Sequence, residues 1–379
     1  MIRKPAFEGA RRVVVKIGSA VLRDGADFDR VTFTSLVRGL VALQAEGVEV
    51  VVVCSGAVAL GMPRLGLTTR PDRIERLQAT AAVGQGQLIR MWTDELTFYQ
   101  RVAAQVLLTH EDLRDRRRFL AARHTLLTLL ELGAVPVINE NDTVAIEEIK
   151  LGDNDLLAGQ VASLVDAQLL IILSDVEGFY AGDPRAPGAQ PEPFVGRVDD
   201  AVLALAGPST TGLGSGGMRT KLTAVAQVNR LGLPAIIARG KAPHVLRRLY
   251  AGEALGTWFA ADAPMPRRKH WIAYAGHPAG TLHVDAGAEA AVRAHGRSLL
   301  PIGITSVEGD FAEGDPVRVI GPDGVEFARG LARHDAATLR AVAGQRSADH
   351  AAPEAVHRDD LVVLRPIEAV VSGRGAGLS

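Results

Sequence analysis

Cysteine is nearly absent from this sequence, because Cys54 is the only one among 379 residues. A single cysteine excludes an internal disulfide and any metal site built from several cysteines, and it is consistent with a reducing compartment. Cys54 ends a run of valines, and free cysteines are among the most buried residue types. We therefore expect Cys54 to be a small buried side chain in a strand.

An excess of charge of either sign is also absent. Lys and Arg total 42 and Asp and Glu total 43, which gives a formal net charge of -1. The chain as a whole therefore has no electrostatic attraction for nucleic acid or for a membrane surface. Any charged ligand must instead be bound by a local cluster of side chains.

Long hydrophobic runs are missing as well, although 47% of the residues are hydrophobic. No apolar run reaches the roughly 18 residues that mark a transmembrane helix. The N-terminal segment MIRKPAFEGARR lacks the apolar core of a signal peptide. We therefore expect a cytoplasmic protein that has no membrane partner.

The sequence does contain a regular alternation of two kinds of segment. Short runs rich in valine, isoleucine and leucine alternate with longer stretches whose apolar residues recur at helical spacing. The short runs are residues 12–18, 48–56, 101–108, 134–139, 167–175 and 233–240. Parallel strands need helix-sized connections, so the alternation predicts a three-layer α/β/α domain with a mainly parallel sheet. Ligands of such a sheet bind at the carboxyl ends of its strands.

The character of the sequence changes after about residue 257. The segment ADAPMPRRKH combines prolines with basic residues, and strand-like patterns follow it, including PVRVIGPDGVEFARG with GPDG as a hairpin turn. A length of 379 residues favours two domains or three, at about 150 residues each. We predict a first domain over residues 1–258, a linker over 259–270, a small mainly β domain over 271–363 and a flexible tail over 364–379.

Three segments of the first domain offer positive charge or unpaired backbone N–H groups. Lys16 ends the first predicted strand, and Ser55 and Gly56 form the turn after the second. Residues 212–217 include four glycines and precede the helix that contains Lys221. Such loops and helix starts bind anions, so we expect phosphate or carboxylate there. The loop is not a P-loop, because three residues separate its last glycine from the lysine.

Carboxylates and amides gather at two further positions. Asn139 and Asp142 follow the strand AVPVI, and Asp153, Asn154 and Asp155 stand at the start of the next predicted helix. One such residue is enough to cap a helix, so three leave a surplus. We therefore expect both groups to bind a ligand.

A further pair, Ser174 and Asp175, ends the strand LLIILSD, and the turn-rich residues that follow it could wrap part of a nucleotide or could equally form a plain loop. Together, these segments predict phosphoryl transfer, which depends mainly on positioning and charge neutralisation. An acceptor carboxylate with a pKa of about 4.3 is already ionised at neutral pH and needs no general base. We expect Lys16 and Lys221, with magnesium on the nucleotide, to neutralise the transferred group. Asp155 would hold the two lysines.

Six motifs resemble those of the amino-acid kinase family, and of its glutamate-phosphorylating members in particular. They are VVVKIGS, CSGAVALG, PVINENDTVA, KLGDNDLLA, LSDVEGFYAGDPR and GLGSGGMRTKL, spread over about residues 10–260. The segments LLPIGITSVEGDF and AVHRDDLVVL resemble a PUA domain, so the resemblance covers nearly the whole chain. It implies ATP-dependent phosphorylation of the L-glutamate γ-carboxylate to L-glutamyl 5-phosphate, the first step of proline biosynthesis.

The resemblance also implies roles for the matching residues. Lys16 and Lys221 would contact ATP and the transferred group, and Asp155 would align them as the third catalytic residue. The implied ATP site consists of Lys16, Ser174, Asp175, Ser215, Gly216, Gly217, Met218, Arg219, Thr220 and Lys221. The implied glutamate site consists of Ser55, Asn139, Asp142, Asp153 and Asn154.

Further partners follow from the same resemblance. It implies magnesium as a cofactor with ATP and a homo-oligomer built from kinase domains. It also implies feedback inhibition by L-proline at a site that overlaps the glutamate site. Functional coupling to glutamyl phosphate reductase, the next enzyme of the pathway, is a further expectation. The choice between a dimer and a tetramer, and the direct magnesium ligands, stay open.

Two alternatives also stay open. Another amino-acid kinase, of the acetylglutamate kinase or aspartokinase type, would share the lysines and the glycine loop. However, Asp142 suits the α-ammonium of free glutamate, which an N-acetylated glutamate does not carry. An RNA-binding or RNA-modifying protein would act through the PUA-like domain, supported locally only by the basic run Arg267, Arg268 and Lys269. We expect this run to be a solvated linker and RNA not to be a partner.

Overall fold

The computed structural model of the protein describes residues 7, 10–25, 27–145, 154–206, 217–261, 269, 271–275, 278–345 and 354–364. The chain forms two compact units, Met1–Met265 and Pro266–Ser379. Most of the expected linker, and the expected tail beyond Leu364, lie outside the described residues. The finer domain boundaries given above stay predictions.

An eight-stranded sheet forms the centre of the first unit. Its strands are β1 (Arg12–Ile17), β4 (Glu49–Cys54), β5 (Ala103–Leu108), β6 (Val135–Glu140), β7 (Leu169–Ser174), β8 (Phe194–Val195), β9 (Ala235–Arg239) and β10 (Thr257–Phe259). The spatial order is β5-β6-β4-β1-β7-β9-β10-β8. All neighbouring strands are parallel except β9 and β10. The prediction of a mainly parallel sheet is confirmed, and a separate ribbon of β2 (Arg23–Asp24) and β3 (Asp27–Phe28) follows β1.

Helices cover both faces of this sheet. They are α1 (Arg30–Ala45), α2 (Ala57–Arg64), α3 (Ile74–Phe98), α4 (His110–Arg114), α5 (Arg116–Glu131), α6 (Asn154–Leu164), α7 (Asp200–Leu205), α8 (Met218–Asn229) and α9 (Val245–Tyr250). Side chains of a strand alternate between faces. Val13 and Val15 therefore pack in the core that includes α1, α3 and α9, whereas Val14 packs in the core that includes α5, α6 and α8. The three-layer prediction is confirmed.

Some local predictions can be compared directly with the structure. Cys54 is fully buried at the end of β4, as expected, and burial raises the pKa of its thiol to about 12. Strands β8 and β10 were not predicted, because two or three residues are too few to show an alternating pattern. No helix within the described ranges combines the length and the apolar character that crossing a membrane requires.

Helices α2 and α3 cross at a direct backbone contact. A Cβ atom on Gly61 would lie 1.9 Å from the Thr80 carbonyl oxygen, and one on Gly84 would lie 1.7 Å from the Ala57 carbonyl oxygen. Only a residue without a Cβ atom permits this approach. The contact holds α3 against the turn that follows β4, where Gly56 adopts a φ of 118°.

Gly84→Ala should destabilise the first unit by about 3 kcal/mol or more, because the added methyl group would collide with backbone rather than with a movable side chain. Gly86→Ala is the matched control on the same helix, since Gly86 is exposed and a Cβ atom there would meet no atom within 4 Å. We expect this control to be neutral or to stabilise the helix by up to about 1 kcal/mol. Urea unfolding followed by circular dichroism measures both, and equal midpoints would contradict the close contact.

The second unit contains a five-stranded sheet with its own core. Its elements are β11 (Gly280–Val284), α10 (Ala286–His295), β12 (Ile304–Gly309), β13 (Pro316–Ile320), β14 (Glu326–Leu331), α11 (Ala336–Val342) and β15 (Leu361–Val363). The strand order is β12-β11-β13-β14-β15, and only the β11–β13 pair within it is parallel. The GPDG turn joins β13 to β14 as predicted, with Gly321 N donating to Val325 O at 3.0 Å.

The basic run considered for the RNA alternative falls at the start of this unit, mostly outside the described residues. Arg267 and Arg268 lie outside the described residues, and Lys269 is half-buried.

Candidate active site

Three elements bring their functional side chains to the same edge of the sheet. Lys16 lies near the carboxyl end of β1, a central strand, and its side chain points to the same face as Val14. Helices α6 and α8 cover that face, and their first turns contribute Asp155 and Lys221. The alternation along β1 therefore places a lysine, instead of another valine, where two helices begin.

The three side chains form a buried ion cluster. Lys16 Nζ lies 2.5 Å from Asp155 Oδ1, and Lys221 Nζ lies 3.0 Å from Asp155 Oδ2. The exposed fractions are 5% for Lys16, 0% for Asp155 and 7% for Lys221. Each oxygen of one carboxylate therefore contacts a different ammonium group, which fixes the separation of the two lysines.

Asp155 stays ionised in this cluster despite its burial. Burial alone would raise the pKa of the carboxyl group, but the two nearby lysines outweigh burial and lower the pKa to about 2. The cluster therefore places one ionised carboxylate between two lysine side chains. The surplus positive charge suits an anionic ligand.

The start of α8 adds polar groups beside this cluster. Thr220 Oγ1 donates to Gly217 O at 2.8 Å and lies 3.5 Å from Asp155 Oδ2. Met218 is half-buried and Arg219 is exposed in the same turn. The N–H groups of a first helical turn have no partner within the helix and bind anions readily. Two other members of the predicted glycine-rich loop, Ser215 and Gly216, lie outside the described residues.

Two asparagines connect the ends of β4 and β6. Asn154 Nδ2 donates to Cys54 O and to Asn139 Oδ1, both at 2.7 Å. Asn139 Oδ1 also accepts from Glu140 N at 2.9 Å. These bonds fix the orientation of both amides, with Asn139 Oδ1 directed toward Asn154. Ser55 follows β4 directly, and its N–H donates to Ile17 O at 3.2 Å.

Asp142 lies beyond this pair in the turn after β6. Asp142 is half-buried, and burial raises the pKa of its carboxyl group to about 6, against the opposing effects of Gln85 and Arg70. Asp153, which was also predicted to bind the ligand, lies outside the described residues. The structure therefore shows a carboxylate whose charge changes close to neutral pH, near the strand ends that carry the asparagines.

Ser174 ends β7, the neighbour of β1, and Asp175 follows it directly. Ser174 is buried and its Oγ donates to Asp175 Oδ1 at 3.0 Å, whereas Asp175 is exposed. Alternation places Ser174 on the same sheet face as Ile172, which pairs with Lys16. The structure thus brings this pair to the side of the sheet that contains the ion cluster.

Sequence reasoning missed two buried residues of this region. Glu140 ends β6 with 3% exposure, and Gln85 lies in the middle of α3 with 8% exposure. Gln85 Nε2 donates to Glu140 O at 3.1 Å and to Asp142 Oδ2 at 3.4 Å. A glutamine on an amphipathic helix gives no local signal of this contact, because its partners lie more than 50 residues away in the chain.

The site combines three capacities at one sheet edge. It has a rigid pair of lysines held by one carboxylate, a helix start suited to phosphate, and a separate region of oriented amides with a titratable carboxylate. This combination suits the transfer of an anionic group to a small polar acceptor.

Comparison with known proteins agrees with this class of chemistry. A family model described as the amino acid kinase family matches residues 11–239, and one described as the PUA domain matches residues 280–352. The first match includes every strand of the central sheet except β10, together with the whole ion cluster, so the protein is a kinase of this class. A solved UMP kinase from Bacillus anthracis is 18% identical and covers 67% of this chain and 97% of its own, with a TM-score of 0.47.

Curated relatives specify the family further. A glutamate 5-kinase from Myxococcus xanthus is 49% identical over 371 residues, which cover 95% of this chain and 98% of the relative. A glutamate 5-kinase from Geobacter sp. is 46% identical over 373 residues, which cover 96% of this chain and 100% of the relative. The chain belongs to the glutamate 5-kinase family, within the amino acid kinases.

Proposed function

We propose that this protein transfers the γ-phosphoryl group of ATP to the γ-carboxylate of L-glutamate, giving L-glutamyl 5-phosphate for proline biosynthesis. The observation that carries the proposal is the buried cluster in which Asp155 holds Lys16 and Lys221 at 2.5 and 3.0 Å. The high identity to glutamate 5-kinases over nearly the whole chain supports the choice of acceptor.

The ion cluster supplies what this reaction needs. Attack of a carboxylate on a phosphate brings two anions together, and no proton has to be removed from the acceptor above its pKa of about 4.3. Lys16 and Lys221 would neutralise charge on the transferring group, with Asp155 fixing both ammonium groups before substrates bind. Preorganised charges of this kind do not have to reorient during the reaction, so they favour the transition state.

The amide region would bind the amino-acid end of the substrate. Since Asn139 Oδ1 already accepts two hydrogen bonds, its NH₂ group is suited to donate to a substrate carboxylate. Asn154 uses its NH₂ group toward Cys54 O and Asn139, so its oxygen is suited to accept from an ammonium group. Asp142 would add the negative charge that pairs with this ammonium, and Ser55 and Asp153 complete the proposed glutamate site.

The nucleotide would lie along the other side of the cluster. We assign it to Ser174 and Asp175 at the end of β7 and to the loop from Ser215 to Lys221 that leads into α8. Magnesium usually binds phosphates and few protein carboxylates, and Asp155 is already engaged by two lysines. We therefore propose that magnesium is held mainly by the ATP phosphates, where it would withdraw charge from them.

Several properties of the intact enzyme belong to the same proposal. We propose a cytoplasmic homo-oligomer that is inhibited by L-proline, since proline shares the α-amino acid group for which the amide region is suited. The unstable acyl phosphate product would be passed to glutamyl phosphate reductase, the enzyme that consumes it. The amino acid kinase model matches residues 11–239 and the PUA model matches residues 280–352. These two matches support the proposed division of the chain into a domain over residues 1–258 and a domain over residues 271–363.

A trapping assay tests the substrate. Purified protein is incubated with ATP, magnesium and hydroxylamine, which converts an acyl phosphate to a hydroxamate. L-glutamate, N-acetyl-L-glutamate and L-aspartate are compared at equal concentrations. Hydroxamate with L-glutamate alone is the expected result. Hydroxamate with either of the other acids instead would move the protein to a different amino acid kinase activity.

The role proposed for Asp142 predicts a dependence on pH. Because the pKa of Asp142 is about 6, its carboxylate is lost as the pH falls below that value. The KM for L-glutamate should then rise by about tenfold per pH unit, since the substrate ammonium and γ-carboxylate keep their charges between pH 5 and about 7. Asp142→Asn should show a high KM that no longer changes over this range. A wild-type KM that stays constant from about pH 7 to 5 would contradict the role.

A further inference from the structure

Gln85 is a buried amide in the middle of a long amphipathic helix. It is 8% exposed and lies in α3, which otherwise buries mainly apolar residues such as Leu88 and Trp92 on its inner side. Burying an amide is unfavourable unless its polar atoms are hydrogen-bonded. The partners of Gln85 therefore explain why the helix carries an amide at this position.

The two described bonds of the Gln85 NH₂ group go to the end of β6 and to the turn that follows it. Nε2 donates to Glu140 O at 3.1 Å and to Asp142 Oδ2 at 3.4 Å. One side chain thus holds the backbone at the end of the strand and the carboxylate two residues further on. The amide acts as a bridge between α3 and the proposed glutamate site.

The backbone of α3 is rigidly placed at this point. Gly84 precedes Gln85, and its Cα lies so close to the Ala57 carbonyl oxygen that no side chain fits between the helices. Helix α2, which contains Ala57, begins directly after the turn of Ser55 and Gly56. The Gln85 side chain therefore starts from a backbone position fixed against another part of the same site.

Charged and polar groups reach Asp142 from two directions. Gln85 faces it from α3, and Arg70 acts on it from the segment between α2 and α3. Both favour the ionised carboxylate, whereas burial favours the neutral acid. Removal of the Gln85 N–H donor would leave Arg70 as the remaining described side chain that favours the charged form.

From this geometry we infer that Gln85 is a positioning residue for amino-group recognition. It holds Asp142 in the orientation and the ionised state that pair with the α-ammonium of the substrate. The inference rests on the proposed function, and it adds a residue that touches neither the phosphoryl group nor the ammonium itself. Gln85 should therefore control the affinity for L-glutamate and not the rate of phosphoryl transfer.

Gln85→Met tests this role, because methionine keeps the length and helix propensity but donates no hydrogen bond. We expect the KM for L-glutamate to rise about ten- to a hundredfold, with kcat and the KM for ATP changed less than about threefold. The control is Gln87→Met on the same helix, since Gln87 bonds only to exposed Arg64 among the described contacts, at 3.2 Å. The control should leave all three constants unchanged.

A purely structural role for Gln85 is distinguished in two ways. The pH at which the KM for L-glutamate begins to rise should shift upward by about one unit in Gln85→Met, because Asp142 loses a donor that favours its charged form. In an Asp142→Asn background, Gln85→Met should add less than about a threefold effect, because the two residues act through the same contact. Multiplicative effects of the two changes, or an unshifted pH profile, would overturn the inference.

The hydroxamate assay on the wild-type protein separates a failure of the proposed function from a failure of this inference. A wild-type protein that forms no hydroxamate with L-glutamate would overturn the proposed function and this inference together. An active wild type whose KM for L-glutamate is unaltered by Gln85→Met would overturn the inference alone.

Discussion

Asp155→Asn should reduce kcat by about a thousandfold or more while the protein remains folded. The carboxylate contacts Lys16 through one oxygen and Lys221 through the other, so a neutral amide removes the charge that holds both. The two buried lysine side chains would then no longer be held by a shared carboxylate, and their mutual repulsion would move them apart. Both lysines would be affected by one substitution, which is why this effect should be the largest.

The matched control is Asp166→Asn, just beyond the other end of the same helix. Asp166 Oδ2 forms an ion pair with Arg123 at 2.5 Å, but it follows α6 and lies far from the helix start. This control should keep wild-type turnover in the hydroxamate assay. Circular dichroism and thermal melting verify that both variants fold. Wild-type turnover in Asp155→Asn would remove the cluster from the mechanism.

The same carboxylate should also affect stability in a defined pH range. Its pKa is about 2 in the folded protein, below the ordinary value of 3.8, so the unfolded chain takes up the proton first as the pH falls. The stabilisation from Asp155 is therefore complete above about pH 5 and is lost as the pH falls from about 4 toward 2. The difference in free energy of unfolding between wild type and Asp155→Asn should shrink over that range. A difference that is constant down to about pH 2 would contradict the ionised state.

Lys221→Met should reduce kcat by about a hundred- to a thousandfold. Methionine is similar in length and apolar, so the helix start should keep its shape while one of the two ammonium groups is lost. Asp155 would still contact Lys16, so a partly organised cluster remains and the loss should be smaller than in Asp155→Asn. The KM for L-glutamate should change little, because Lys221 lies on the phosphate side of the proposed site.

A cation on the same helix serves as the control for this substitution. Arg230 follows the last turn of α8 and is exposed, at the end opposite to Lys221. Arg230→Met removes a positive charge from the same helix without affecting the cluster, and it should keep wild-type kcat. If both variants retained full activity, Lys221 would have no catalytic role. If both variants lost activity equally, the cause would be the loss of positive charge in general and not the position of Lys221.

The central sheet was predictable because its strands are buried on both faces. Runs such as the one ending at Cys54 are continuously apolar, and a lysine at position 16 within such a run is conspicuous. The same logic indicated Asn139 and Asp142, since they follow a buried apolar run; the structure places Asn139 within the end of β6 and Asp142 in the turn after it. The structure brings Lys16, Asp155 and Lys221 into contact, whereas their catalytic roles stay predictions.

Other features depend on contacts that a linear pattern does not contain. Gln85 resembles any polar helix residue until α3 is placed against the end of β6. Gly61 and Gly84 look like weak points of two helices, although each permits a backbone contact between them. The strand Thr257–Phe259 is too short to show a period, and its antiparallel pairing with β9 depends on the path of the preceding chain.

The central claim is that a glutamate carboxylate oxygen attacks the γ-phosphorus of ATP. It is tested most directly with L-glutamate that carries heavy oxygen in both positions of its γ-carboxylate. Hydroxylamine attacks the carbonyl carbon of the acyl phosphate, so the phosphate that leaves keeps the oxygen that formed the new P–O bond. Mass spectrometry should find one heavy oxygen in each phosphate released with hydroxamate. Phosphate without heavy oxygen would show that water attacks ATP, and it would contradict phosphoryl transfer to glutamate.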